Sequence, residues 1–309
     1  MQNQTNVVPV FFAVDDKYVP FLTISLDSLK AHASKANKYD IYILTTCLSD
    51  ESKAAAKKRE DENFTVYFVD VNEKLNDVSD SLHLRDYYSM ATYYRIFIAG
   101  MFPELDKAVY IDSDTILLGD IAELYDTELG DNLVGAVPDG AVAIVPEFRT
   151  YTKEVLGVVA EEYFNAGVLV MNLKKFREAD FYGKFCDLLQ KYKFTVAQDQ
   201  DYLNVACHGS VKYLSDEWNK MPISGEGAAP KLIHYNLTMK PWRYENILFK
   251  EHFWAVAEKN EYYPQVKGFL DSFTEEMAKA DAECEKKLRV LCLEEAARED
   301  NYWKKYGKA

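Results

Sequence analysis

Two aspartates, Asp112 and Asp114, close the apolar run Lys107–Asp112 in the segment Tyr110-Ile111-Asp112-Ser113-Asp114. Carboxylate oxygens suit hard cations such as Mn²⁺ or Mg²⁺. A regular strand would point the two side chains to opposite faces, so a shared ion requires the chain to curl after the strand. Asp15 follows the first apolar run, in Ala13-Val14-Asp15-Asp16-Lys17-Tyr18, and offers a carboxylate to a base or ribose. Asn165 and Gly167 interrupt the apolar stretch Tyr163–Val168. A glycine inside a strand pattern marks close approach by a ligand or another backbone, and Asn165 offers an amide to sugar hydroxyls. Gln198-Asp199-Gln200-Asp201 opens a helix. His234 and Lys240 lie in His234-Tyr235-Asn236-Leu237-Thr238-Met239-Lys240-Pro241-Trp242. A neutral imidazole can complete a metal site begun by two aspartates, and a lysine can neutralise a phosphate. Each group alone has a plainer explanation: a polar turn, a helix cap, a strand bulge, a structural histidine. Their recurrence at successive strand ends is what points to one site.

The elements that must position these groups alternate. Val7–Val14 is a near-continuous apolar run, the pattern of a central strand covered on both faces, and Val19, Leu22, Leu26 and Leu29 follow at helical spacing. Tyr39–Thr46 and Phe64–Val71 predict two more strands, separated by an Ala-rich helix that Ser49 caps and that runs to about Asn63. A helix around Tyr87–Ala99 and a strand at Lys107–Asp112 complete the first half. This is strand–helix–strand alternation, hence an α/β fold with a mostly parallel sheet. Strands are then expected at Leu133–Pro138, Phe164–Asn172, Val211–Leu214 and Lys231–Tyr235, with helices at Lys174–Tyr192 and Gln200–His208. Met221–Pro230, rich in Gly and Pro, reads as a mobile loop. Ser272 and Glu275 form a capping box that opens a helical extension running to about Tyr306.

The chain has 309 residues, with 50 acidic and 36 basic side chains and a formal net charge of −14. That length supports one large domain or two modest ones. The charge opposes non-specific nucleic-acid binding, which depends on Lys and Arg displacing counterions from phosphates. A phosphate-bearing ligand would need a local cation or a basic pocket. The five cysteines, Cys47, Cys186, Cys207, Cys284 and Cys292, include no Cys-x-x-Cys pair and read as free thiols in a reducing compartment. The opening MQNQTNVVPV lacks the basic and apolar regions of a signal peptide. No window approaches the roughly 20 apolar residues of a membrane span. The expectation is a cytoplasmic protein in which the sequons at Asn3, Asn63 and Asn236 are chance matches. No P-loop, G-x-G-x-x-G, H-E-x-x-H or G-x-S-x-G is present.

Taken together, the segments VFFAVDDKY (10–18), ATYYRIFIAG (91–100), AVYIDSDTILLGDIAELYDTELGDNLVGAVPD (108–139), EYFNAGVLVMNLKKFR (162–177), QDQDYLN (198–204) and HYNLTMKPW (234–242) resemble glycosyltransferase family 8. This family comprises retaining nucleotide-sugar transferases and includes lipopolysaccharide galactosyl- and glucosyltransferases, galactinol synthases and glycogenin. The resemblance covers roughly residues 8–245. It implies a GT-A fold, a catalytic domain over 1–245 and a C-terminal helical extension over 246–309. It also implies Mn²⁺, with Mg²⁺ as the substitute, held by Asp112, Asp114 and His234, and a UDP-sugar donor whose two phosphates the metal bridges. Ala13, Asp15 and Lys17 match positions near the nucleotide. Arg95 matches an arginine that reaches the donor sugar or phosphate, and Ser113 lies between the two acids of the D-x-D. Asn165 and Asp199 match sugar-hydroxyl binders, Gln200 a residue near the anomeric carbon, and Lys240 a phosphate-binding lysine. At Leu237 many relatives have glycine. The extension departs as well: from Glu275 to Ala309 nine acids face eight bases, where some relatives carry a basic membrane anchor. Only Tyr302–Tyr306 looks interfacial, which leaves a packed helix as the main reading and the inner membrane face as the lesser one.

The implied reaction is transfer of galactose or glucose from UDP to a hydroxyl of a saccharide or glycolipid, with retention. Retention arises by double displacement through an enzyme nucleophile or by same-face attack on an oxocarbenium-like ion pair. An amide at Gln200 is a feeble nucleophile and favours the second. Three alternatives stand beside it. A sugar-nucleotide pyrophosphorylase needs a Gly-rich basic loop after the first strand, which DDKYVP (15–20) does not offer. A lapsed nucleotide-sugar or glycan-binding module would not need Asp112, Asp114 and His234. A self-glucosylating, glycogenin-like primer needs a presented tyrosine, and the chain has 22.

Overall fold

The computed structural model describes residues 6–78, 82 and 90–307. Its central sheet has seven strands: β1 (Val7–Ala13), β2 (Lys38–Thr45), β3 (Phe64–Asp70), β4 (Ala108–Ile111), β6 (Val134–Pro138), β7 (Phe164–Met171) and β8 (Val211–Tyr213). Their order is β3-β2-β1-β4-β7-β6-β8, and β5 (Thr115–Leu117) pairs with β9 (Leu232–His234) in a separate ribbon. The pairs β1/β2, β2/β3, β1/β4 and β6/β8 are parallel, while β7 is antiparallel to both neighbours. The sheet is therefore mostly parallel, as the alternation requires. Pro9 is accommodated because β4 pairs only with Val10 and Phe11, so no ladder bond on that side needs its missing N–H.

Both faces of the sheet are covered, which is why β1, β4 and β7 read as unbroken apolar runs. Val8, Val10 and Phe12 pack with Leu22, Leu26 and Leu29 of the helix Val19–His32, which follows β1. Phe11, Tyr110 and Leu169 point the other way, toward Tyr93, Phe97, Phe185 and Tyr202. A third cluster joins Phe21 and Ile24 to Phe253 and Val266 of the helices Lys250–Ala257 and Tyr263–Asp271.

The reversed direction of β7 organises the site edge. The carboxyl ends of β1, β4 and β6 lie beside the amino end of β7: Ile111 pairs with Val168, and Pro138 with Phe164. Asp112 then donates its N–H to Gly167 O at 2.8 Å. Residues that end three strands and begin a fourth thus share one edge, the ligand crevice of open α/β sheets.

Several element bounds differ from the sequence reading, each for a local reason. The helix after Ser49 spans only Asp50–Lys57, because Asn63 lies in the turn that feeds β3. Met90–Phe97 is 3₁₀, followed by a short α-helix at Ile98–Met101; Tyr87–Ser89 lie outside the described residues. The helical stretch 174–192 is two helices, Leu173–Glu178 and Phe181–Lys191, broken at Asp180, whose φ is 48° and whose side chain caps the second. The capping box is not formed. Thr274 caps Glu275–Ala297 by accepting from Met277 N (3.2 Å), and Ser272 instead donates back to Gly268 O (2.7 Å). β5 was not anticipated; three residues are too few to show a period. The last two helices, Glu275–Ala297 and Tyr302–Tyr306, pack on the core through Leu288, Leu291, Cys292 and Tyr302. Among the described residues, no helix is long and apolar enough to cross a membrane.

None of the five cysteines forms a disulfide: Cys47 is exposed, Cys186 and Cys284 are half-buried, and Cys207 and Cys292 are buried. Burial also pushes the Cys207 thiol well above its usual range. Timed alkylation of the native chain read by peptide mass should label Cys47 first and leave Cys207 and Cys292 unmodified until denaturant is added. Early labelling of Cys207 would contradict its burial in the core.

Candidate functional site

A cavity of about 220 Å³ opens at the shared strand edge. Its lining includes Ala13, Asp15, Arg95, Asp112, Ser113, Asp114, Asn165, Asp199, Gln200, His234 and Lys240. Lys17 is not brought there. Asp15 accepts from Lys17 N (3.0 Å) and Tyr18 N (3.2 Å), and the resulting turn leaves Lys17 exposed while Tyr18 faces the cavity.

Asp112 and Asp114 reach one point because the chain turns sharply between β4 and β5. Thr115 Oγ1 donates to Asp112 O at 2.9 Å and clamps that turn. Thr115 also pairs with His234 across the β5/β9 ribbon, which delivers the imidazole from 120 residues away. His234 Nε2 lies 3.2 Å from Asp114 Oδ1 and 3.8 Å from Asp112 Oδ2. One ligand atom from each of the three residues lies within 4.8 Å of the others. Asp114 Oδ1 accepts no hydrogen bond, and neither does the neighbouring Ser113 Oγ. A Cβ at Gly167 would collide with the His234 ring and stand 2.7 Å from Asp112 Oδ2, so only glycine leaves room for the cluster. Two carboxylates, an imidazole and an unpaired oxygen form a donor set that fits Mn²⁺ or Mg²⁺.

Compensating charge is built around the acids. Burial works against the Asp114 carboxylate, but Lys240 and His234 outweigh it and hold its carboxyl well below the usual range. Lys240 Nζ ion-pairs directly with Asp114 Oδ2. Arg95 is fully buried, stacks over the Tyr110 ring at 4.3 Å and stands 3.3 Å from Asp112 Oδ1 and 3.1 Å from Asp199 Oδ2. Its Nε hydrogen goes to Thr92 O (2.8 Å), so Asp199 Oδ2 has an ion partner but no hydrogen bond. Burial pushes the Asp199 carboxyl up to about 7, against the pull of Arg95.

Gln200 and Asn165 are held by neighbours the sequence reading did not assign. Gln200 Oε1 accepts from Ala166 N (2.9 Å), and its Nε2 donates to Asp139 Oδ2 (3.1 Å) and Tyr163 OH (3.2 Å). Asn165 Nδ2 also donates to Asp139 Oδ2 (3.0 Å). In the same helix start, Asp201 accepts from Tyr151 (2.8 Å) and Tyr163 (2.7 Å) hydroxyls, while Asn204 clips the helix to Phe164 of β7. Asp139 was legible in principle, since it follows β6 just as Asp15 follows β1. Tyr18 and Asn236, which also line the cavity, carried no comparable signal.

The family model for Glycosyl transferase family 8 matches residues 9–246. The chain belongs to glycosyl transferase family 8. It is similar to a putative glycosyltransferase of Haemophilus influenzae, at 31% identity over 215 residues, 69% of this chain and 63% of that one. It is also similar to the lipopolysaccharide 1,2-glucosyltransferase of Escherichia coli, at 27% identity over 286 residues, 84% of this chain and 78% of that one. Among solved structures, galactosyltransferase LgtC in complex with donor and acceptor sugar analogues matches at 28% identity and a TM-score of 0.72, over 85% of this chain and 100% of that one. The bifunctional glycosyltransferase WbbM matches at 28% identity and a TM-score of 0.75, over 86% of this chain and 52% of that one. The chain thus spans less than two thirds of the Haemophilus protein and about half of WbbM. The fold is GT-A.

Within this family-8 chain the departure at Leu237 has a backbone cost. Leu237 has φ 51° and is 39% exposed at the cavity wall. A glycine adopts that left-handed geometry freely, whereas a leucine is strained there.

Asp199 gives a pH-dependent expectation. Its folded value, about 7, lies above the unfolded value near 3.9, so ionised Asp199 burdens the fold fully above pH 7 and progressively less as pH falls toward about 4. Asp199→Asn should raise the melting temperature at pH 8 by about 2–4 °C or more and by less at pH 5. Calorimetry showing a gain independent of pH, or a loss at pH 8, would remove the assignment of a strained carboxylate.

Proposed function

We propose that the chain is a retaining hexosyltransferase that moves galactose or glucose from a UDP-sugar to a hydroxyl of a saccharide or glycolipid acceptor. The observation that carries the reading is the convergence of Asp112, Asp114 and His234 in the cavity that also presents Asp15, Arg95, Asn165, Asp199, Gln200 and Lys240. Asp112, Asp114 and His234 would hold Mn²⁺, or Mg²⁺ in its place, which when bound would supply positive charge against the diphosphate leaving group.

The chain's own groups do the rest. Ala13 and Asp15 receive the nucleoside, with the second carboxylate oxygen of Asp15 left to a ribose hydroxyl. Lys240 turns its ammonium from Asp114 toward a phosphate. Arg95 steadies Asp112 and Asp199, and Asp199, with an oxygen free of hydrogen bonds, receives a sugar hydroxyl. Gln200, pinned by Asp139, Tyr163 and Ala166, holds its amide dipole beside the anomeric carbon without acting as a nucleophile. Same-face attack by the acceptor follows, its proton passing to the departing phosphate oxygen. Three of the four tyrosines of the wall, Tyr110, Tyr151 and Tyr163, spend their hydroxyls on Asp112 and Asp201, which disfavours those three as acceptors. Residues 1–245 form the catalytic domain in this reading and 246–309 its extension, working in the cytoplasm or at the inner membrane face.

UDP release from a panel of UDP-sugars tests the reading. Signal is expected with a single hexose donor, with Mn²⁺ present and not after chelation. Asp114→Asn should lower kcat/KM on the order of 100-fold or more. Undiminished turnover in that variant or in chelator would sink the site assignment, and a trapped covalent sugar on Gln200 or Asp199 would sink same-face attack.

A further inference from the structure

We infer that Asn219 is a positioning residue for the cation site, fixing the tautomer and ring plane of His234 so that Nε2 turns its lone pair to the ion. The inference rests on the proposed cation site and adds to it a residue that touches neither ion nor substrate. Asn219 is 2% exposed and lies behind the cavity wall. His234 Nδ1 is 2.9 Å from Asn219 Oδ1, Asn219 Nδ2 is 3.0 Å from Asn165 Oδ1, and Asn165 Nδ2 is 3.0 Å from Asp139 Oδ2.

The direction of every bond in this series follows from its ends. A carboxylate only accepts, so the Asn165 atom facing Asp139 is its NH₂. The Gly167 N–H donates to the other Asn165 atom (3.0 Å), which must be the oxygen. The Asn219 atom facing that oxygen is then its NH₂, which leaves the Asn219 oxygen toward His234. His234 therefore carries a proton on Nδ1, which leaves Nε2, facing Asp114 and Asp112, as the nitrogen that offers its lone pair to an ion. Which imidazole nitrogen binds a metal is set by the hydrogen bond the other makes. The backbone holds Asn219 opposite the ring: Lys220 N donates to Leu232 O, and His234 N donates to Lys220 O, both at 2.9 Å. A neutral amide does this without adding another negative charge to an acidic cavity.

The test is Mn²⁺ binding, read from the electron paramagnetic resonance of the free ion, with no donor present. Asn219→Leu removes both hydrogen bonds and should weaken Mn²⁺ binding by about 10- to 100-fold. Asn219→Asp keeps an acceptor for the Nδ1 proton and should stay within about tenfold of the unaltered chain, tighter than the leucine variant. If the unaltered chain binds Mn²⁺ and Asn219→Leu binds it equally, the inference is overturned and the cation site stands. If the unaltered chain binds none, the cation site fails and the inference falls with it. Should Asn219→Leu not fold, the histidine ring ¹⁵N spectrum of the unaltered chain with Mg²⁺ decides. Protonated Nδ1 and bare Nε2 at His234 are expected, and the reverse tautomer would overturn the assignment.

Discussion

The constraint on which the site depends is excess negative charge at one sheet edge. Five carboxylates line the cavity, Asp15, Asp112, Asp114, Asp139 and Asp199, against two permanent cations, Arg95 and Lys240. With all of them ionised, that is a surplus of three negative charges before any phosphate arrives. Such a surplus cannot accept a diphosphate unless positive charge arrives with it. Arg95, buried between Asp112 and Asp199, and Lys240, held on Asp114, meet part of the demand. Burial, with the Asp112 charge adding to it, raises the Asp199 carboxyl against the pull of Arg95, and one oxygen each of Asp114 and Asp199 accepts no hydrogen bond.

The reversed strand β7 makes this gathering feasible. A purely parallel sheet brings only strand carboxyl ends to the crevice. Antiparallel β7 adds residues from its beginning, Asn165 and Gly167, beside the Asp112 turn. Gly167 then gives up a side chain so that His234 can fit against Asp112. The same strand anchors the helix that bears Asp199 and Gln200 through Asn204. The metal-facing and sugar-facing parts of the cavity are thus braced on one strand.

Much of this was legible from residue order. Alternating apolar runs disclosed the α/β class, and the acids after β1 and β4 disclosed the edge. The glycine at 167 disclosed a close approach whose partner turned out to be His234. What stayed hidden is what depends on side chains meeting across long separations. Asn219 sits in an ordinary turn after Asp216–Trp218, and nothing in its neighbours announces that it meets His234. Lys17 lies outside the cavity lining for the converse reason: adjacency to Asp15 says nothing about direction in a tight turn, where Tyr18 takes the inward place. The C-terminal cap shifted from Ser272 to Thr274 because both residues can cap and only packing chooses between them.

Antiparallel β7 also sets where this scaffold tolerates change in length. Side chains alternate along a strand, so adding or removing one residue there would exchange the faces of Asn165 and Gly167 and throw every later partner out of step. The segment 221–230 carries no such alternation; Met221 and Pro222 are buried and Ala228 N donates to Asp216, but 224–227 are exposed, held inward by the Lys220 ammonium on Asp216 and Glu226 O. Insertions and deletions accumulated over descent, or introduced by engineering, should therefore fall in that segment and spare the strand.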